Sequence, residues 1–269
     1  MTIATYDQYI GATKQQLRIV KTAAATTIAT VPFTTLDLAG SPGAGSLAVG
    51  NTANGLVPTD ATAGFPSINT FGGGAVGYLG SVGYGSSVAS RLTLFDRVFH
   101  VGSVVMTSLA TTTLASQPSF ASRLPGSLYE NLELFLEVNA AVSATATTVS
   151  VGYTNESGTT GRSTGATASM SGYTTRRLVP MPLQAGDKGV QRIDSVTVGG
   201  TVAATGSVNV VVARRLWSGR TRTANDGGFD DINATGLPIV YDTSALWLVV
   251  EADSTSSGIP EMSFVVANG

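Results

Sequence analysis

The chain has one histidine. His100 sits in Val98-Phe99-His100-Val101, where neighbouring side chains alternate across a strand. A Ser-His-Asp catalyst would have to use this imidazole as its base, yet no Gly-x-Ser-x-Gly elbow occurs and the serines fall mainly in turns. Zinc catalysis is no better served, because one His and no Cys leave only carboxylates to complete a ligand set. His100 therefore reads as a structural side chain, and no catalytic residue and no metal ligand are assigned.

Carboxylates are the next candidates. Glu133 and Glu137 share one face of a strand over residues 131–138. At strand rise they stand roughly 13 Å apart, beyond the ~5–9.5 Å that separates glycosidase carboxyls, so that face reads as solvated. A glycan hydrolase using a pair such as Asp230 and Glu251 stays open as a minor reading. Residues 225–231 gather Asp226, Asp230 and Asp231 in a glycine turn. Ca²⁺ favours such oxygen ligands, but the spacing is not that of an EF-hand and such clusters ordinarily build turns. Asp242-Thr243-Ser244 lacks the glycine and the second copy of an aspartic-protease site. Gly43-Ala44-Gly45-Ser46-Leu47-Ala48 satisfies the loose dinucleotide-loop pattern, but the sequence after it cannot supply the helix that would hold a pyrophosphate. No cofactor is expected.

Composition narrows the classes further. Charged residues are 12% of the 269, glycine supplies 32, and the formal charge is −2. Such a chain has no whole-molecule field to draw it to nucleic acid or anionic lipid. No apolar run approaches the ~20 residues of a membrane span, and the amino-terminal residues lack a signal-peptide h-region. The expected product is soluble and made in a cytoplasm. Without cysteine, stability must come from packing or from partner subunits.

The elements that would position any functional group are mostly strands. Thr5-Tyr6-Asp7-Gln8 has capping-box spacing. Tyr6, Tyr9 or Ile10, Thr13, Leu17 and Val20 follow at helical steps, predicting a helical arm within residues 1–22 that packs on its own domain, the alternative being an arm that grips a neighbouring subunit. Residues 23–90 read as a glycine-rich extended region with one strand at 26–31. Its punctuation includes the Gly72-Gly73-Gly74 run, and its apolar groups need covering, so it is expected to find order against other chains. From residue 91 to 269, eight or nine short strands separated by turns predict an antiparallel β-sandwich, jelly-roll-like. The fold class is thus all-β with a short N-terminal helix and a long glycine-rich region.

Arginine far outnumbers lysine, and guanidinium groups are enriched at subunit interfaces. The candidate interface residues are Tyr6, Tyr9 and Leu17 of the arm, Phe65, Phe71, Tyr78 and Tyr84 of the glycine-rich region, and the pairs Arg176-Arg177 and Arg214-Arg215.

Three phrases carry a family resemblance. They are 149–158 (with Tyr153-Thr154-Asn155-Glu156) continuing to Gly161-Arg162, then 181–190 (with Gln184-Ala185-Gly186-Asp187-Lys188-Gly189), and 237–246 (with Tyr241-Asp242-Thr243-Ser244). Together they resemble structural proteins from the head-gene region of tailed bacteriophages, and are similar to capsid decoration, or cement, proteins with a jelly-roll body. The resemblance covers roughly residues 140–269 and brings no catalytic residue with it. It implies a non-enzymatic virion protein on the capsid surface, a homo-oligomer of trimer type, whose partner is the major capsid protein. Direct nucleic-acid and membrane contacts are not expected. The alternative is a phage tail-tip or host-attachment protein that binds a receptor or glycan.

Overall fold

The computed structural model describes residues 3, 5–72 and 75–269; Gly73 and Gly74 of the glycine run lie outside the described residues. Helix α1 (Tyr6–Gly11) precedes strands β1 (Lys14–Lys21), β2 (Pro32–Thr34), β3 (Gly40–Ser41), β4 (Asn51–Leu56), β5 (Gly77–Ser86) and β6 (Ser90–Val105). Next come β7 (Thr111–Thr113), β8 (Leu132–Ala140), β9 (Thr147–Asn155), β10 (Arg162–Ala166), β11 (Leu178–Met181) and β12 (Val190–Gly200). The chain closes with β13 (Ser207–Arg220), β14 (Asp226–Asp230), helix α2 (Ile232–Thr235), β15 (Ile239–Val240), β16 (Leu246–Ala252) and β17 (Pro260–Asn268). The protein is an antiparallel, nearly all-β structure with a short N-terminal helix.

Its division differs from the expected boundaries at 22 and 90. One compact unit, here the inserted unit, comprises Leu47–Pro58 and Arg97–Arg214; the flanking unit comprises the described residues up to Ser46, Thr59–Asp96 and Arg215–Gly269. The chain passes between them at Ser46/Leu47 and Pro58/Thr59, and again inside β6 and inside β13. Periodicity could not show this, because a boundary inside a strand leaves the alternation unbroken.

Each unit is a sandwich with its own core. In the flanking unit, a sheet of order β14-β5-β17-β1-β3, with β15 also on β5, faces a layer containing β16 and β2. Leu17, Ile19, Leu79, Val82, Leu94, Leu248 and Phe264 interdigitate between the layers. In the inserted unit, the β10-β9-β12-β7 sheet faces a layer containing β11-β8-β13. Val101, Leu134, Leu136, Val151, Tyr153, Ile193 and Val210 fill the space between them. Complete burial of such side chains contributes about 1.5–3 kcal/mol each, before conformational entropy is set against it.

Two expectations are corrected here. The helix starts where the capping box places it, with Gln8 N–H donating to the Thr5 hydroxyl and the Gln8 side chain accepting from Thr5 N–H. It ends at Gly11, however, and residues 14–21 form β1, paired antiparallel to β17 from Lys14↔Ala267 to Val20↔Glu261. A short isolated helix is marginal, and a ladder of backbone bonds that also buries Leu17 and Ile19 outweighs the local preference.

The glycine-rich region, for its part, finds its cover within this one chain. Phe65, Ile68 and Phe71 are 4%, 6% and 8% exposed, and Gly77–Ser86 is a ten-residue strand inside a sheet. Gln15 and Asn69 exchange two side-chain-to-backbone hydrogen bonds of 2.9 and 3.1 Å, and Asn268 donates to the Phe71 carbonyl at 2.9 Å. The glycines permit close approach instead of disorder. At Gly80 the ring of Tyr9 occupies the place a Cβ would take, which docks α1 on its own unit.

Candidate functional site

The sequence-predicted interface residues do not form one surface. Leu17, Phe65, Phe71 and Tyr78 are buried in the flanking unit's own packing, so as interface anchors they are corrected. Tyr6 is exposed, whereas Tyr9 and Tyr84 are half-buried. Tyr84 packs on Trp217 with ring centroids 4.7 Å apart, and burial, then the charges of Asp230 and Asp226, raise its pKa. In the inserted unit Arg176 and Arg177 are half-buried ahead of β11, with the Arg177 guanidinium 3.5 Å from the Tyr173 ring centroid. Arg214 is buried, while Arg215 is exposed and lies 5.8 Å from the Phe95 ring centroid.

The residues weighed for chemistry are tied into structure. Asp226 accepts from the backbone N–H of Arg222 and of Gly227, which lowers its pKa. Asp230 accepts from the Trp217 indole at 2.7 Å, and Asp231 caps α2. Glu251 lies 3.9 Å from Arg91. Among the described residues, no group of three or more His, Cys, Asp or Glu side chains is placed to hold a metal ion. His100 is 6% exposed, and its two ring nitrogens have no hydrogen-bond partner among the described residues. Burial, then the Arg97 charge, pushes its pKa down to about 2, so the ring is neutral.

The face of β8 expected to be solvated is covered. Glu137 has a side-chain exposure of 0% and makes a bidentate pair with Arg97, both bonds 2.9 Å. Asn209 donates to the same carboxylate at 2.9 Å and to the Leu47 carbonyl at 2.6 Å. Burying a carboxylate is tolerable only with this degree of pairing.

Two of the resemblance-bearing phrases converge in the inserted unit. Asp187 accepts from the Tyr153 hydroxyl at 2.6 Å, from Asn155 Nδ2 at 2.8 Å, and from Arg162 Nε and Nη2 at 3.0 and 2.5 Å. The Tyr153 oxygen in turn accepts from Gln184 N–H at 2.6 Å. Glu156 accepts from the backbone N–H of Lys188 and Gly189. The Arg162 bonds hold the Asp187 carboxyl well below its ordinary 3.8. Burial and the bond to Asp187 push Tyr153 up to about 12. Two turns are thereby clasped around one carboxylate. The third phrase is also structural: Ser244 donates to Asp96 at 2.8 Å, and Ala245 N–H donates to the other carboxylate oxygen at 3.1 Å.

The outer face of the β1-β17-β5-β14 sheet in the flanking unit is open. An open cleft of about 650 Å³ there is lined by Gln16, Arg18, Val20, Gly83, Glu261 and Ser263, among others. Register places Arg18 beside Ser263, Ser263 beside Gly83, and Gly83 beside Phe229. Phe229 is 69% exposed. Sequence reasoning missed these residues because Gln16 and Arg18 were placed on a helix. The available signal was the period-two alternation of Gln16 and Arg18 with Leu17 and Ile19.

Among the described residues, no helix is long and apolar enough to cross a membrane. No protein-family model matches the chain. No curated protein matches it either. Among solved structures it is weakly similar to proteins of infectious bursal disease virus. The infectious bursal disease virus VP2 subviral particle aligns at 10% identity and a TM-score of 0.23, over 97% of this chain and 81% of that one. The Gx strain of the same virus aligns at 11% identity and a TM-score of 0.21, over 96% and 80%.

Proposed function

We propose that the protein is a non-enzymatic virion structural protein, a capsid decoration or cement subunit that stabilises a phage head by bridging capsomers. The observation that carries this reading is the clasp around Asp187. Two of the phrases that resemble head proteins use Glu156, Arg162 and Asp187 to lock turns to one another. The same holds for the carboxylates at 226, 230 and 231. A chain whose ionisable groups rigidify a β scaffold is suited to presenting fixed surfaces, and Tyr6, Ile10 and Ile259 of the flanking unit are exposed for such contacts.

In this reading the partners are the major capsid protein and further copies of the chain, with a trimer as the symmetry. The protein is made in the host cytoplasm and ends on the capsid surface. Its mechanism is linkage: a ligand of the expanded shell alone stabilises that state by RT ln(1 + [L]/Kd), about 2.7 kcal/mol per site at 100 Kd. Quantitative protein analysis of purified particles tests it. The expected result is a fixed ratio to the major capsid protein at dozens to hundreds of copies. Absence from particles overturns the proposal, and a few copies per particle places it at the tail, as a host-attachment protein.

A further inference from the structure

We propose that the outer face of the β1-β17-β5-β14 sheet is a binding platform for a neutral oligosaccharide. This goes beyond a shell role and does not depend on it.

The floor is made by small residues. Gly83 and Ser263 lie between Arg18 on β1 and Phe229 on β14. A Cβ at Gly83 would stand 3.1 Å from Ser263 Oγ and 3.7 Å from Phe229 Cδ2, so a side chain there would fill the depression. From Arg18 to Phe229 the row crosses three strand spacings, about 14 Å, room for a short chain of pyranose rings. The cleft's volume of about 650 Å³ falls within the ~300–1,000 Å³ usual for small-molecule sites. Docking of Tyr9 over Gly80 and against Ser81 places α1 at one end of the face.

The walls supply the recognition chemistry. Arg18 and Glu261 are exposed and sit on a diagonal of the β1-β17 register, yet neither is engaged in an ion pair or hydrogen bond among the described residues. Two opposite charges flanking one floor leave it without net charge, which disfavours a polyanion and a cation alike. A guanidinium donates and a carboxylate accepts, each through two atoms, a match for vicinal hydroxyl groups. Gln16 adds an amide able to do both. Phe229 offers an exposed aromatic face against which the C–H side of a sugar ring can lie. A neutral polyol with one apolar face satisfies all four side chains.

The experiment applies the labelled full chain to a printed array of neutral and acidic tri- and tetrasaccharides, alongside Phe229→Ala, Glu261→Gln and Ser263→Gln. All three residues are exposed, so unfolding temperatures are expected to match the parent's. The expected result is retention on at least one neutral oligosaccharide, weakened tenfold or more by each variant. Lack of retention on every neutral sugar overturns the proposal. So does retention that all three variants leave intact, or retention confined to acidic sugars. Particle stoichiometry is unaffected by any of these outcomes, so the sugar site and the shell role fail separately.

Discussion

Glu137 and Glu261 are both strand glutamates in alternating sequences, and they end in opposite conditions. Glu137 is fully buried, gripped by both arms of Arg97 and by Asn209. Glu261 stands exposed, one diagonal from Arg18, with no ion pair or hydrogen bond among the described residues. The alternation that placed each on a strand face is the same, so the local pattern did not separate them. What separates them is whether other chain covers that face. Where it is covered, a charge must be fully paired, and pairing fixes its neighbours. Where it stays open, the charge remains free to meet a ligand.

Four variants test what burial does to an ionisable side chain. Replacing Glu137 with Ala leaves Arg97 buried without its carboxylate and is expected to destabilise the protein by about 3–5 kcal/mol in chemical denaturation. The double variant Arg97→Met with Glu137→Leu should recover most of that loss, since no lone charge is left behind. A loss below about 1 kcal/mol for Glu137→Ala would break the comparison.

The next effect comes from His100. Its folded pKa is about 2 against an ordinary 6.5, so below pH 6.5 the unfolded chain takes up a proton that the folded chain refuses. Stability therefore falls with falling pH, by up to about 1.4 kcal/mol per pH unit. In His100→Leu that slope should disappear between pH 6.5 and 5, and parallel curves for the two proteins would contradict the assignment.

The smallest effect belongs to the open face. Glu261→Gln should change unfolding free energy by no more than about 0.5 kcal/mol. A larger loss would mean that this carboxylate has a structural partner after all.

Much of the β framework was legible because β-branched and apolar residues alternate with polar ones. Residues 131–138, 147–153, 190–198 and 262–267 each lie in or overlap an observed strand. The Thr5–Gln8 cap was legible too, since its bonds are local. The strand at Gly77–Ser86 was not, because six of its ten residues are Gly or Ser and its identity rests on pairing with β17 and β14. Nor was the clasp. Tyr153, Arg162 and Asp187 are separated by intervals that no motif rule connects, and only the approach of two turns makes Asp187 a shared acceptor.

By itself the sequence determined the all-β character, the start of α1 and the scarcity of ionisable side chains. These follow from composition and from bonds spanning a few residues. Tertiary structure alone decided that residues 14–21 are a strand, that the chain divides inside β6 and β13, and that the glycine-rich region is covered by its own chain. It also decided which carboxylates are buried and which are free. Each of those outcomes depends on which distant segment supplies the missing hydrogen bonds or excludes the water, and neither local period nor composition carries that information.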